Sequence, residues 1–234
     1  MNEQGVGRHV AAAEMILSDK VPAFSDRAEA GRRIGETLAD RVHGDVIVYA
    51  IPCGGVPVAL EVARALEAPL DLALVRKIGA PHDPEVALAA VIGGSHPRTV
   101  INEELVRLTR LPPDWLERER VVALAEIERR RRLYLEGRRS PDPKGHVAVL
   151  VDDGLATGAT ARAAIAGLRA QGVRRIVLAV PVAPRTLAAA LCEEVDEFVC
   201  LLEPDPFRSV GDAYRDFREV SDAEVVACLS RSLS

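Results

Sequence analysis

A chain of 234 residues with 48% apolar and 28% charged side chains is long enough to bury one sizeable core, with room for an insertion. Its net charge of −5 argues against nucleic acid as the main partner, because a backbone-binding face needs a surplus of positive charge. No run approaches the ~20 apolar residues of a membrane helix, and Cys53, Cys192, Cys200 and Cys228 lack metal-binding or C-x-x-C spacing, so a cytoplasmic protein with reduced thiols and no membrane partner is expected.

In chain order, residues 25–43 predict a helix capped by Ser25 or Asp26, followed by a strand at 45–51, a helix at 56–66 and a strand at 70–75. After a long interruption the alternation resumes with a strand at 146–151, a helix at 158–171, a strand at 175–180, a helix at 184–194 and a strand at 197–202. These strands are apolar at nearly every position, as strands buried on both faces must be. The fold class is therefore α/β, a doubly wound and mostly parallel sheet with helices on both faces.

The interruption has its own pattern. Residues 86–92 and 99–101 read as a hairpin whose turn contains Gly93–Arg98, within a loop region spanning 78–102. A helical insertion at 103–138 follows, dominated by one long helix at 111–138 that starts at Pro112 and Pro113. Leu116, Ala123, Ile127 and Tyr134 share one face of it, which offers a packing surface to a second subunit in a homodimer. The run Arg129–Arg132 is explained by Glu126→Arg130 and Glu128→Arg132 pairs four residues apart, in the favourable order, rather than by a nucleic-acid contact.

Ligands in open parallel sheets bind at the carboxyl ends of strands. The strand at 146–151 ends in Asp152-Asp153-Gly154-Leu155-Ala156-Thr157-Gly158-Ala159-Thr160. Two adjacent carboxylates repel each other and contribute nothing to the strand, but they can accept hydrogen bonds from the two hydroxyls of a ribose. The N–H groups of residues 156–160 open a helix, and with the Thr157 and Thr160 hydroxyls they form a cup suited to phosphate. Neither the Walker loop nor G-x-G-x-x-G is present.

The stretch VAVLVDDGLATGAT, residues 147–160, resembles the phosphoribosyl-pyrophosphate signature of type I phosphoribosyltransferases. The resemblance implies that Asp152 and Asp153 hold ribose and, with Mg²⁺, serve the metal site, and that Ala156, Thr157, Gly158, Ala159 and Thr160 hold the 5′-phosphate. It implies that the turn Cys53-Gly54-Gly55 binds pyrophosphate through backbone amides, a use of glycine that an anion nest requires. Arg76 and Lys77 would meet pyrophosphate oxygens, and the segment beginning at residue 78 would be the mobile loop that closes over the site. Relatives often carry a further basic residue where this chain has Ala80, Pro81 and His82. Residues 203–234 would form a small hood in which Phe207 stacks on the base and Asp212 or Asp216 lies near the pyrophosphate or metal. Pro184 stands where 6-oxopurine enzymes carry a lysine, and the insertion has no counterpart in them.

The implied reaction transfers a 5-phosphoribosyl group between 5-phosphoribosyl 1-pyrophosphate (PRPP) and a nitrogenous base of the purine or pyrimidine salvage type, releasing pyrophosphate. Asp152, Asp153 and Lys77 would be the catalytic set, with Asp153 taking the proton of the nucleophile. The rival reading is a regulator of the same fold that senses PRPP or a nucleotide without turnover, using the Arg-rich insertion on nucleic acid.

Overall fold

The computed structural model of the chain describes residues 8–11, 22–93, 97–112 and 114–232. Its elements run β1 (Arg8–Ala11), α1 (Arg27–Ala39), β2 (Val46–Ala50), α2 (Gly55–Ala65), β3 (Leu70–Leu72), β4 (Val75–Ala80), β5 (Asp83–Ile92) and β6 (Arg98–Ile101). Then come α3 (Glu103–Thr109), α4 (Trp115–Leu135), β7 (Val147–Val151), α5 (Ala159–Ala170), β8 (Arg175–Val182), α6 (Arg185–Cys192), β9 (Glu197–Leu202) and α7 (Asp222–Ser230).

The main sheet has the order β1-β9-β8-β7-β2-β3, with every neighbouring pair parallel. Alternate strand residues feed two cores. Val48, Val149, Val177 and Val199 meet α1, α2 and α7 on one face, while Ile47, Leu150, Ile176 and Phe198 meet α5 and α6 on the other. The result is the expected α/β sheet covered on both sides.

Several expectations change. Residues 70–75 are not one strand: β3 ends at Leu72, and the chain turns through Ala73 and Leu74 into β4, which belongs to a second sheet of order β4-β5-β6. An unbroken apolar run hides such a change of sheet, because both pieces are buried. The predicted pairing of 86–92 with 99–101 is present as β5–β6, but β4 adds a third antiparallel strand, with Arg76 opposite Val91 and Lys77 opposite Ala90. Residues 78–80, expected to start a loop, are therefore strand. Gly94–His96 in the predicted turn lie outside the described residues.

The helical insertion is two helices, separated at Arg110, whose φ of 49° is left-handed. Helix α4 begins at Trp115 rather than 111, and Pro113 lies outside the described residues. The α4 face containing Ala123, Ile127 and Tyr134 is buried in the chain's own core, so it is not open to a second subunit. The strand β1 and the helix α7 were also not anticipated. The latter starts with a capping box between Ser221 and Glu224.

Candidate active site

The chain order reverses at β2, which pairs with β3 on one side and β7 on the other. The crevice beyond the carboxyl ends of β2 and β7 is thus the topological switch point of the sheet. The turn Pro52–Gly55 leaves β2 there, and the run Asp152–Thr160 leaves β7. Ile51 N–H donates to the Val151 carbonyl at 2.9 Å and ties the two exits together.

The contact is closer than sequence spacing suggests. A Cβ on Gly54 would lie 2.7 Å from Cγ of Asp153, and one on Gly55 would lie 2.9 Å from Cα of Asp152. Glycine at both positions lets the turn rest directly on the aspartates. The Pro52–Cys53 peptide in this turn is cis. At the start of α5, Gly158 has a φ of 72°, which an L side chain resists. Its backbone presents Ala159 and Thr160 as the first turn, while Ala156, Thr157 and Thr160 remain exposed at the rim. Ala159 N–H reaches Thr157 Oγ1 at 3.4 Å.

The two aspartates stand in different surroundings. Asp152 Oδ1 accepts from the Asp153 N–H at 2.9 Å, and the residue is half-buried. Desolvation, followed by the neighbouring charge of Asp153, pushes the Asp152 pKa well above the usual carboxylate range. Asp153 instead receives Arg27 Nε on Oδ2 at 2.8 Å. That guanidinium also donates to the Arg218 carbonyl at 2.8 Å and lies 4.0 Å from the centroid of the Phe217 ring. Tyr214 hydroxyl donates to the Asp153 carbonyl at 2.6 Å, and its ring stacks on Phe217 at 5.0 Å.

Sequence reasoning missed Arg27 and Tyr214 as partners of Asp153, and Phe217 as the ring packed against both of them. Arg27 and Asp153 are 126 positions apart, and an arginine in the first turn of a helix carries no signal of such a contact. Among the predicted residues, Gly54 adjoins Asp153 and Gly55 adjoins Asp152. Cys53 Sγ lies 3.6 Å from the Tyr134 hydroxyl, which in turn donates to Asp222. All four cysteines are free. Arg76 and Lys77 line a cavity with Ile51, Pro52 and Thr160, so they face the same crevice. Phe207 is half-buried against the main core. Asp212 accepts from Ser209 at 2.9 Å, and Asp216 pairs with Arg218 at 3.7 Å.

For a divalent cation the protein offers the adjacent pair Asp152 and Asp153, one of them already shared with Arg27. Among the described residues there is no cluster of three metal-ligating side chains. Two adjacent carboxylates are too few for an all-protein cage, so a hard divalent ion such as Mg²⁺ would need further oxygen donors from outside the protein. No helix of the described residues is long and apolar enough to cross a membrane.

Two Mycobacterium tuberculosis proteins, from strains CDC 1551 / Oshkosh and ATCC 25618 / H37Rv, each named "Putative phosphoribosyl transferase", are 44% identical over 209 residues. The alignment covers 89% of this chain and 47% of each relative, so the chain spans about half the length of these curated relatives. The crystal structure of TT1426 from Thermus thermophilus is 41% identical, with a TM-score of 0.78, covering 90% of this chain and 99% of that one. Residues 26–200 match the phosphoribosyl transferase domain, and the chain belongs to that family.

Proposed function

We propose that the chain is an active phosphoribosyltransferase that moves the 5-phosphoribosyl group of PRPP onto a nitrogenous base of the purine or pyrimidine salvage type and releases pyrophosphate. The observation that carries this reading is the meeting of Asp152-Asp153, the T-G-x-T cup and the C-G-G turn at the β2/β7 switch point.

In this reading the cup at 156–160 takes the 5′-phosphate through helix-start amides and the Thr157 and Thr160 hydroxyls. Asp152 and Asp153 receive the ribose hydroxyls, and Arg27 keeps the Asp153 carboxylate oriented toward them. The amides of 53–55, with Arg76 and Lys77, take the pyrophosphate, whose charge grows as the glycosidic bond breaks. Mg²⁺ bound to the donor would supply further charge neutralisation, with Asp152 and Asp153 beside it. The proton of the nucleophile is placed on Asp152, whose desolvated carboxyl has the raised proton affinity, in preference to Asp153, which is already committed to Arg27. Phe207 remains the stacking residue proposed for the base.

The rival regulator would rely on Arg129–Arg132 as a nucleic-acid contact. Those arginines are paired within α4, Arg129 and Arg130 with Glu126 and Arg131 and Arg132 with Glu128, so nothing in the structure favours that reading.

The test is pyrophosphate release from Mg²⁺–PRPP against a panel of purines, pyrimidines, nicotinate and ammonia, with products identified by mass. Base-dependent release that falls by at least about 100-fold in Asp153→Asn is expected, the scale of losing positioned charge in a transition state. Donor binding without turnover on any acceptor would favour the regulator, and absence of donor binding would overturn the site.

A further inference from the structure

We propose that Arg130, on the inserted helix α4, is a binding residue for the pyrophosphate group of the donor; this deepens the phosphoribosyltransferase reading and rests on it. The assignment comes from a cavity of about 350 Å³ between the β2 exit, the start of β4 and α4. Its polar lining is Arg76, Lys77, Arg130 and Thr160, beside Pro52 of the C-G-G turn. Among the described residues that line it there is no carboxylate.

Three basic side chains brought to one small concavity, with no carboxylate in its lining, give it a local positive potential that favours an anion. The volume is at the lower end of small-molecule pockets, which run from about 300 to 1,000 Å³, and therefore suits a compact polyanion. Pro52 and Thr160 place the cavity between the turn assigned to pyrophosphate and the cup assigned to the 5′-phosphate, where the leaving group of the donor would lie.

Arg130 differs from its neighbours in the basic run. Its side chain is 28% exposed, against 56% for Arg129, 46% for Arg131 and 79% for Arg132. Its Nε donates to Glu126 Oε1 at 2.8 Å, a bond that fixes the guanidinium at the cavity wall. Glu126 divides its charge between Arg129 and Arg130, so the pair positions Arg130 without saturating its fork of donors. The helix itself is seated by Ile127, the next inward residue, which is buried and lines the same cavity. A planar guanidinium with several remaining N–H groups is matched to phosphate oxygens in a way a point charge is not. The insertion thereby contributes to the site instead of decorating the surface.

The test is calorimetric titration of the full chain with inorganic pyrophosphate and Mg²⁺, and separately with ribose 5-phosphate, for wild type, Arg130→Gln, Arg130→Lys and Arg129→Gln. Gln keeps most of the stem and a donor for Glu126, and ribose 5-phosphate binding by each variant checks that the fold and the phosphate cup survive. Arg130→Gln is expected to weaken pyrophosphate by about 10- to 100-fold, the loss associated with a charge-assisted hydrogen bond. Arg130→Lys should recover part of that loss, Arg129→Gln should match wild type, and ribose 5-phosphate affinity should not change. Pyrophosphate affinity in Arg130→Gln within twofold of wild type would overturn the inference while leaving the site reading intact. A wild-type chain that binds neither pyrophosphate nor ribose 5-phosphate would overturn both.

Discussion

At the scale of single residues, the site is held by contacts that work against stability. Asp152 is a carboxyl removed from water beside a second carboxylate, and its raised pKa expresses that cost. A carboxyl whose folded pKa lies above its unfolded value, about 4, contributes stability in full below that value and loses it as pH rises through the folded pKa. At neutral pH an ionised Asp152 is therefore a burden. Asn at this position keeps the Oδ1 that accepts the Asp153 N–H and removes the charge. Asp152→Asn is expected to unfold at a higher temperature than wild type at pH 7, with the difference vanishing below about pH 4. It should at the same time lose PRPP binding, the exchange of stability for function common at ligand sites. A lower unfolding temperature at pH 7 would mean that the ionised carboxylate is stabilising and the desolvation argument is wrong. Arg27 is the counterpart on the stabilising side: it meets Asp153, the Arg218 carbonyl and the Phe217 face at once. None of these contacts was legible in the sequence, because each joins positions far apart in the chain.

At the scale of elements, α4 shows what sequence periodicity captures and what it misses. Its inward face was readable from Ala123, Ile127 and Tyr134, since an amphipathic helix must bury its apolar stripe. What that face buries against was not readable: it packs on the second sheet and α7 rather than on another molecule. Ile127 Cγ2 occupies the space that a Cβ on Gly93 would need, 2.6 Å away. Ile127→Ala is expected to cost about 2–5 kcal/mol in denaturant unfolding, the range for a buried aliphatic truncation. Glu128→Gln, which loosens two exposed arginine pairs, should leave the unfolding midpoint close to that of wild type. Comparable losses in the two variants would show that α4 is held by its surface charges and not by its packing. Strands β2, β7, β8 and β9 were legible because double-sided burial leaves them apolar throughout. The start of β4 was not, since the sequence carries no mark where a buried chain changes sheets, and the S-x-x-E box before α7 was present but unread.

At the scale of the whole molecule, the segment from 203 onward was expected as a hood over the base, and its wiring makes it part of the core. Phe24 N–H donates to the Ala213 carbonyl at 2.9 Å, Arg215 N–H to the Phe24 carbonyl at 2.8 Å, and Asp216 N–H to the Ser25 carbonyl at 2.9 Å. Ala213, Tyr214, Val225 and Leu229 are buried with residues of α1 and α2 in one cluster. The same segment supplies the Tyr214 hydroxyl and the Arg218 carbonyl that position Asp153 and Arg27. A detachable lid would leave the sheet intact when removed, whereas this segment takes core and site geometry with it. Truncation after residue 203 is therefore expected to abolish cooperative thermal unfolding of the remaining chain, because losing several fully buried apolar side chains at about 1.5–3 kcal/mol each exceeds the usual margin of about 5–15 kcal/mol once the exposed partners are counted. Calorimetry of the truncated chain checks this. A sharp unfolding transition close to that of the full chain would show that the segment is an independent lid. The positions of Arg27 and Asp153 would then have to be maintained by the sheet alone.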